Sequence, residues 1–124
     1  MIRELCSVND FAINKSLGFV LETNDGRCGL ILVRLKNQFF CYLNSCPHLG
    51  TPLEIRANQF LDSGGKHILC STHGALFKIE DGYCVAGPCI TKKLTSIKFE
   101  VREDIIWINT TNLPTLWPAR PKPP

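Results

Sequence analysis

Short apolar runs alternate with tight-turn residues along the chain. Asn24-Asp25-Gly26, Lys36-Asn37, Ser63-Gly64-Gly65, Glu80-Asp81-Gly82 and Glu103-Asp104 each separate two such runs. Turn signals at that spacing indicate an all-β sandwich or barrel. Residues 30–35 are apolar on both faces apart from Arg34, the pattern of a central strand buried on both sides. Residues 38–43 follow after a two-residue turn and should pair with that run. Residues 97–102 alternate apolar and polar positions, the period of a half-buried strand, and residues 105–108 return as the hairpin partner. A further strand is predicted over 66–69, with the preceding segment from Glu54 turning at Ser63-Gly64-Gly65. No apolar stripe has the helical period. The only helical candidates are single turns, at 10–15 and 51–55.

Composition narrows the class. The chain has 124 residues, 44% of them hydrophobic and 20% charged. That is about one domain, able to bury roughly two-thirds of the surface its unfolded form exposes. It excludes a large multi-domain enzyme and global disorder. No apolar stretch approaches the roughly 18 residues of a membrane span, and the opening six residues lack the apolar core of a secretory signal. The expectation is a soluble, cytoplasmic chain with no membrane partner. A net charge of +3 is spread over interspersed basic and acidic residues. Without a basic block, a nucleic-acid partner has little support. Five of the eight prolines fall in residues 113–124, where Arg120 and Lys122 have no acidic neighbour. Proline removes backbone donors, so this stretch reads as a Pro-rich tail outside any sheet, with Trp117 its one candidate anchor. Residues 1–112 contain no repeat and no linker, and read as one domain.

Seven cysteines are many for this length. In a reducing compartment, cysteine is more often a metal ligand or a small buried hydrophobe than half of a disulfide. Two segments pair it with histidine: Cys46-Pro47-His48-Leu49-Gly50 and Cys70-Ser71-Thr72-His73-Gly74. Each offers one thiolate and one imidazole on a glycine-containing turn. Two Cys and two His suit a tetrahedral zinc. They equally suit a [2Fe–2S] cluster with two Cys on one iron and two His on the other. A zinc finger takes its cysteines as a pair and its histidines from a helix, which is not this order. A two-iron cluster accounts for one Cys and one His in each loop, since each loop then touches both irons. His67 opens a strand and reads as a satisfied strand histidine. Cys28 and Cys41 read as buried filler. Gly65-Lys66 lacks the other residues of a phosphate loop, and no GxGxxG marks a nicotinamide or flavin site.

The two loops resemble the cluster-binding loops of Rieske [2Fe–2S] proteins, the small soluble Rieske-type ferredoxins in particular. The likeness continues through Gly74-Ala75-Leu76-Phe77, Asp81-Gly82 and Gly87-Pro88, and spans residues 28–110. It implies a Rieske-like antiparallel β-sandwich or barrel. A cluster-binding subdomain, about residues 44–90, would be built from two Cys/His loops and a proline loop. It implies Cys46 and Cys70 on a buried iron, and His48 and His73 on an outer iron with their ring edges toward solvent. It implies a non-catalytic one-electron carrier between a reductase and a terminal oxygenase or reductase. Cys84 and Cys89 then lie close to the cluster. Cys89 packs near it without being a ligand, and a disulfide between the two is the less supported alternative. Two other readings stay open: a small Rieske subunit of an oxygenase or nitrite-reductase-type complex, and a zinc-bound or cluster-free interaction module. A ring-hydroxylating oxygenase also needs an iron on two His and a carboxylate. After His48 and His73 only His67 is left.

The departures from the family pattern carry information. Where respiratory and photosynthetic relatives place a loop-bracing disulfide, this chain has Thr51 and Thr72. Where those relatives place a Ser and a Tyr whose hydroxyls bond to sulfur, it has Ala75 and Phe77. Hydrogen bonds to sulfur favour the reduced cluster, so the potential is expected toward the low end of the Rieske range, about −150 mV. The spacer between His48 and Cys70 is longer than small ferredoxins lead one to expect. Residues 45–53, 70–77 and 86–91 carry no charge. Docking there should be apolar, with Glu54, Arg56, Lys92 and Lys93 as the nearest steering charges.

Overall fold

The structure, a computed structural model, describes residues 2–10, 12, 15–23, 25–47, 50–54, 56–111 and 113–116. Among the described residues nine strands follow one another: β1 (Ile2–Ser7), β2 (Lys15–Thr23), β3 (Gly26–Leu35), β4 (Gln38–Leu43), β5 (His67–Leu69), β6 (Leu76–Lys78), β7 (Cys84–Ala86), β8 (Phe99–Arg102) and β9 (Ile105–Asn109). They form three antiparallel sheets, ordered β1-β9-β8, β2-β3-β4 and β5-β6-β7. The all-β expectation holds. Among the described residues the helical content is one 3-10 turn, Val8–Asp10, at the edge of the first expected position. Residues 51–54 are not helical, and Ile55 lies outside the described residues. No helix among the described residues is long and apolar enough to cross a membrane.

The hairpins follow from their turns. Leu35 pairs with Gln38 across Lys36-Asn37, with Lys36 at φ +52°. Arg102 pairs with Ile105 across Glu103-Asp104, and both turn residues take positive φ. Such two-residue turns match the twist of the strands they join. β8 begins at Phe99 rather than at residue 97. The Ile97 N–H is committed elsewhere, to the Cys41 carbonyl at 2.9 Å.

The β2-β3-β4 sheet is the middle layer. Cys28, Leu30 and Leu32 of β3 join a lower core with Cys6, Leu21, Cys41, Ile106 and Ile108. The alternate residues Ile31 and Val33 join an upper core with Tyr42, Leu53, Phe60, Ile68, Phe77 and Leu94. Period two thus sends one apolar run into two cores, and explains why residues 30–33 are apolar throughout. The lower core closes the sandwich. The upper core carries a subdomain, residues 44–95, inserted between β4 and β8. Its entry and exit are tied at a neck: Leu43 N–H donates to the Thr95 carbonyl at 2.8 Å, and Tyr42 bridges Ser96.

The predicted hairpin ahead of the second loop is present. Leu61 bridges Ile68, and Asp62 N–H donates to the His67 carbonyl. Leu113 and Leu116 are part-buried on the lower core, and Leu116 N–H donates to the Arg27 carbonyl at 2.8 Å. Trp117, Arg120, Lys122 and the remaining prolines lie outside the described residues.

Candidate metal centre

The two Cys/His loops are the same turn built twice. Cys46 N–H donates to the Thr51 carbonyl at 2.8 Å, and Gly50 N–H donates to the Cys46 carbonyl at 2.7 Å. Cys70 N–H donates to the Ala75 carbonyl at 2.9 Å, and Gly74 N–H to the Cys70 carbonyl at 2.8 Å. Gly50 and Gly74 take φ +75° and +73°. A Cβ on Gly74 would meet nothing within 4 Å, and on Gly50 only the Ser45 hydroxyl at 3.9 Å. Glycine is therefore needed here for its left-handed backbone rather than for close approach. Each turn returns its chain so that the leading cysteine points inward. Ser71 N–H donates to the Leu53 carbonyl at 2.9 Å, which joins the second loop to the segment after the first.

Cys46 and Cys70 are both buried in the upper core, and their side chains interact. His73 is exposed. His48 and Leu49 lie outside the described residues. Burial pushes the Cys70 thiol up. The N–H groups of His73 and Thr72 act in the opposite sense by bonding to its sulfur, and Cys46 adds to the rise. Two thiols side by side with backbone donors aimed at one sulfur form a site where a cation can replace the protons. The donor set fits a metal or cluster. The Thr51 hydroxyl oxygen is buried there without a hydrogen-bond partner. Among the described residues, Cys46, Cys70 and His73 included, no set of three or more His, Cys, Asp or Glu converges as a metal site.

A third loop closes over these two. Gly87 sits at φ +92°, and a Cβ there would lie 2.8 Å from the Ala75 Cα. Here glycine serves contact as well as conformation. The loop brings the Cys89 Sγ within 3.7 Å of the Cys46 Sγ. Lys92 Nζ reaches the Pro47 carbonyl at 3.4 Å. Cys84 turns away and donates to the Ala86 carbonyl at 3.1 Å. The alternative of a Cys84–Cys89 disulfide is not realised; no disulfide joins any of the seven cysteines, all of which are described. Sequence reasoning placed Cys89 near the centre but missed its contact with Cys46. No local signal marks it, since the two are 43 residues apart.

Supporting residues complete the picture. The Asn44 side chain accepts the Leu53 N–H at 2.9 Å and donates to both Glu54 carboxylate oxygens, at 3.0 and 3.2 Å. Glu54, read as a steering charge, is instead part-buried in a clamp across the first loop. His67 Nδ1 lies 3.1 Å from Asp62 Oδ2, the satisfied strand histidine expected. Burial works against ionisation of Asp62, but the His67 and Lys66 N–H groups and the His67 ring outweigh it and hold the carboxyl low. The third-loop side of the subdomain exposes Tyr83, Val85 and Ile90.

The family model for the Rieske [2Fe–2S] domain matches residues 2–110. No curated protein matches the chain in sequence. Among solved structures, the fold is similar to the ferredoxin of carbazole 1,9a-dioxygenase from Nocardioides aromaticivorans IC177. The TM-score is 0.65 at 16% identity, over 87% of this chain and 96% of that one. It is similar to a ferredoxin of Sphingomonas yanoikuyae B1, with TM-score 0.66 at 20% identity, over 89% and 99% of the two chains. It is also similar to the terminal oxygenase of carbazole 1,9a-dioxygenase from Nocardioides aromaticivorans IC177. There the TM-score is 0.69 at 15% identity, over 92% of this chain but 31% of that one.

Proposed function

The chain belongs to the Rieske [2Fe–2S] domain family, and on that premise we propose that Cys46 and Cys70 hold one iron of the cluster while His48 and His73 hold the other. The cofactor is a [2Fe–2S] cluster, which when bound supplies a centre that gains and loses one electron. The observation that supports this ligand set is the repeated turn, with cysteine at its first position, glycine at its fifth and a histidine between. Cys46 and Cys70 are buried while His73 is exposed. The centre is thereby shielded on its cysteine side and open on its histidine side, where a partner can come close.

The chain's own residues adjust the centre. The Thr72 and His73 N–H groups bond to the Cys70 sulfur. Ala75 and Phe77 offer no hydroxyl and are fully buried. The absence of hydroxyl donors at these two positions supports a midpoint toward the low end of the Rieske range. The partners are a reductase as donor and a terminal oxygenase or reductase as acceptor. The likeness to the ferredoxin of a dioxygenase supports that pairing. The uncharged loops favour apolar docking of moderate salt dependence. The domain is 1–112, with a Pro-rich tail after it. The cytoplasm suits seven cysteines with no disulfide among them.

The likeness to part of a terminal oxygenase favours a second reading, a Rieske component of a larger enzyme assembly. His67 is engaged by Asp62 and these 124 residues supply no other histidine for a mononuclear iron, so in that reading the iron site belongs to another part of the assembly. The test is iron, zinc and acid-labile sulfide analysis on protein purified without air, with EPR of the dithionite-reduced sample. Equal iron and sulfide with a rhombic Rieske signal is the expected result. Zinc without sulfide overturns the assignment.

A further inference from the structure

We propose that Cys89 donates a hydrogen bond to the Cys46 sulfur and thereby sets the potential of the centre. The inference rests on the reading that Cys46 is a cluster ligand. The two Sγ atoms are 3.7 Å apart, within reach of a sulfur hydrogen bond, and both residues are buried. With both thiols protonated, either could donate. A metal-bound cysteine has given up its hydrogen, which leaves Cys89 as the donor of this pair. Cys89 is not one of the four ligands, and the third loop holds its Sγ against that sulfur.

The position is built rather than incidental. Gly87 packs its backbone on Ala75, which anchors the third loop to the second. Lys92 N–H donates to the Cys89 carbonyl at 2.8 Å, and Cys84 N–H to the Lys92 carbonyl at 3.0 Å. Lys92 Nζ then reaches the first loop at Pro47. The loop that closes the centre therefore fixes Cys89 against the Cys46 sulfur. Cys84 is the internal contrast, because its thiol is committed to the Ala86 carbonyl. Positions 75 and 77 carry no hydroxyl, so the side-chain donor to sulfur comes from the third loop instead of the second. A donor to ligand sulfur favours the reduced state and raises the potential.

The test is redox titration of the full-length, cluster-loaded chain as wild type, Cys89→Ala, Cys89→Ser and Cys84→Ala, with iron and sulfide assayed on each. Cys89→Ala should lower the midpoint. Cys89→Ser, whose hydroxyl is the stronger donor, should leave it at or above wild type. Cys84→Ala should not move it, and all four should carry the same iron. An unchanged midpoint in Cys89→Ala, an equal fall in Cys89→Ser, or loss of iron from Cys89→Ala overturns the proposal. Wild-type protein without iron and sulfide overturns the ligand assignment itself, and this inference with it.

Discussion

Three buried cysteines lie on each side of the β2-β3-β4 sheet, and the two groups have opposite characters. Cys6, Cys28 and Cys41 sit in the lower core among Leu and Ile side chains. Cys46, Cys70 and Cys89 sit in the upper core. Burial does not distinguish them. Cys28, Cys70 and Cys89 are all fully enclosed. The backbone does. The lower cysteines belong to strands, whose N–H groups are spent on the ladders of β1, β3 and β4. Cys46 and Cys70 lead turns, and at Cys70 two N–H groups of the turn bond to the sulfur. A strand thiol thus has its backbone committed to the ladder, while the turn thiol of Cys70 has backbone donors turned toward its sulfur.

The comparison breaks most sharply at the proposed ligands. Cys70→Ala should take the iron content from about two per chain to none, while Cys41→Ala should leave it intact. Iron and sulfide assays on the two variants decide it, and equal iron in both would erase the distinction. Next in size is Gly87→Ala, which forces a Cβ onto Ala75 at a positive φ. It should cost about 3 kcal/mol of stability. Gly74→Ala, with open space around it, should cost about 1 kcal/mol. Denaturant midpoints check the ranking. Cys41→Ala removes one small group from the lower core and should cost about 1–2 kcal/mol by the same measurement.

The smallest effect sharpens the comparison through pH. Burial, then Asp10 and Glu4, push Cys6 up to about 11 from the ordinary 9.0. Burial, then Cys28 and Cys6, push Cys41 up to about 12. Both values are raised in the folded chain, so their stabilising contribution is complete below about pH 9. It is lost as pH rises through 11 and 12, because the unfolded chain releases these protons first. Denaturation between pH 9 and 12 should therefore show stability falling with pH, with a shallower fall in Cys41→Ala. An unaltered slope in that variant would show that the Cys41 thiol is not the group responsible.

Much of this was legible in the chain because the signals are local. The β3–β4 and β8–β9 hairpins rest on two-residue turns between apolar runs. The two loops rest on five-residue motifs. β1 and β2 were not legible. β1 exposes Ile2, Arg3 and Glu4 and carries a register shift between Glu4 and Cys6, so its alternation is broken. In β2 the Phe60 ring would meet a Cβ on Gly18 at 2.9 Å, a contact from 42 residues away that removes a side chain from the pattern. The Glu54 carboxylate reads as a solvent charge until Asn44 is placed beside it. Each of these depends on a partner distant in sequence, which periodicity does not encode.

The neck between Leu43 and Thr95 has a consequence for heredity and for engineering. The inserted stretch leaves and re-enters the sandwich at one neck, tied by the Leu43–Thr95 hydrogen bond and the Tyr42–Ser96 bridge. Closing a longer excursion costs entropy that grows only logarithmically with its length. Residues can be gained or lost in the long spacer ahead of Cys70 without changing the register of β4 or β8. The neck fixes where the subdomain joins the sandwich, but Ile31, Val33 and Tyr42 of the sandwich complete its core, so a transplanted subdomain must meet the same apolar face in its new host.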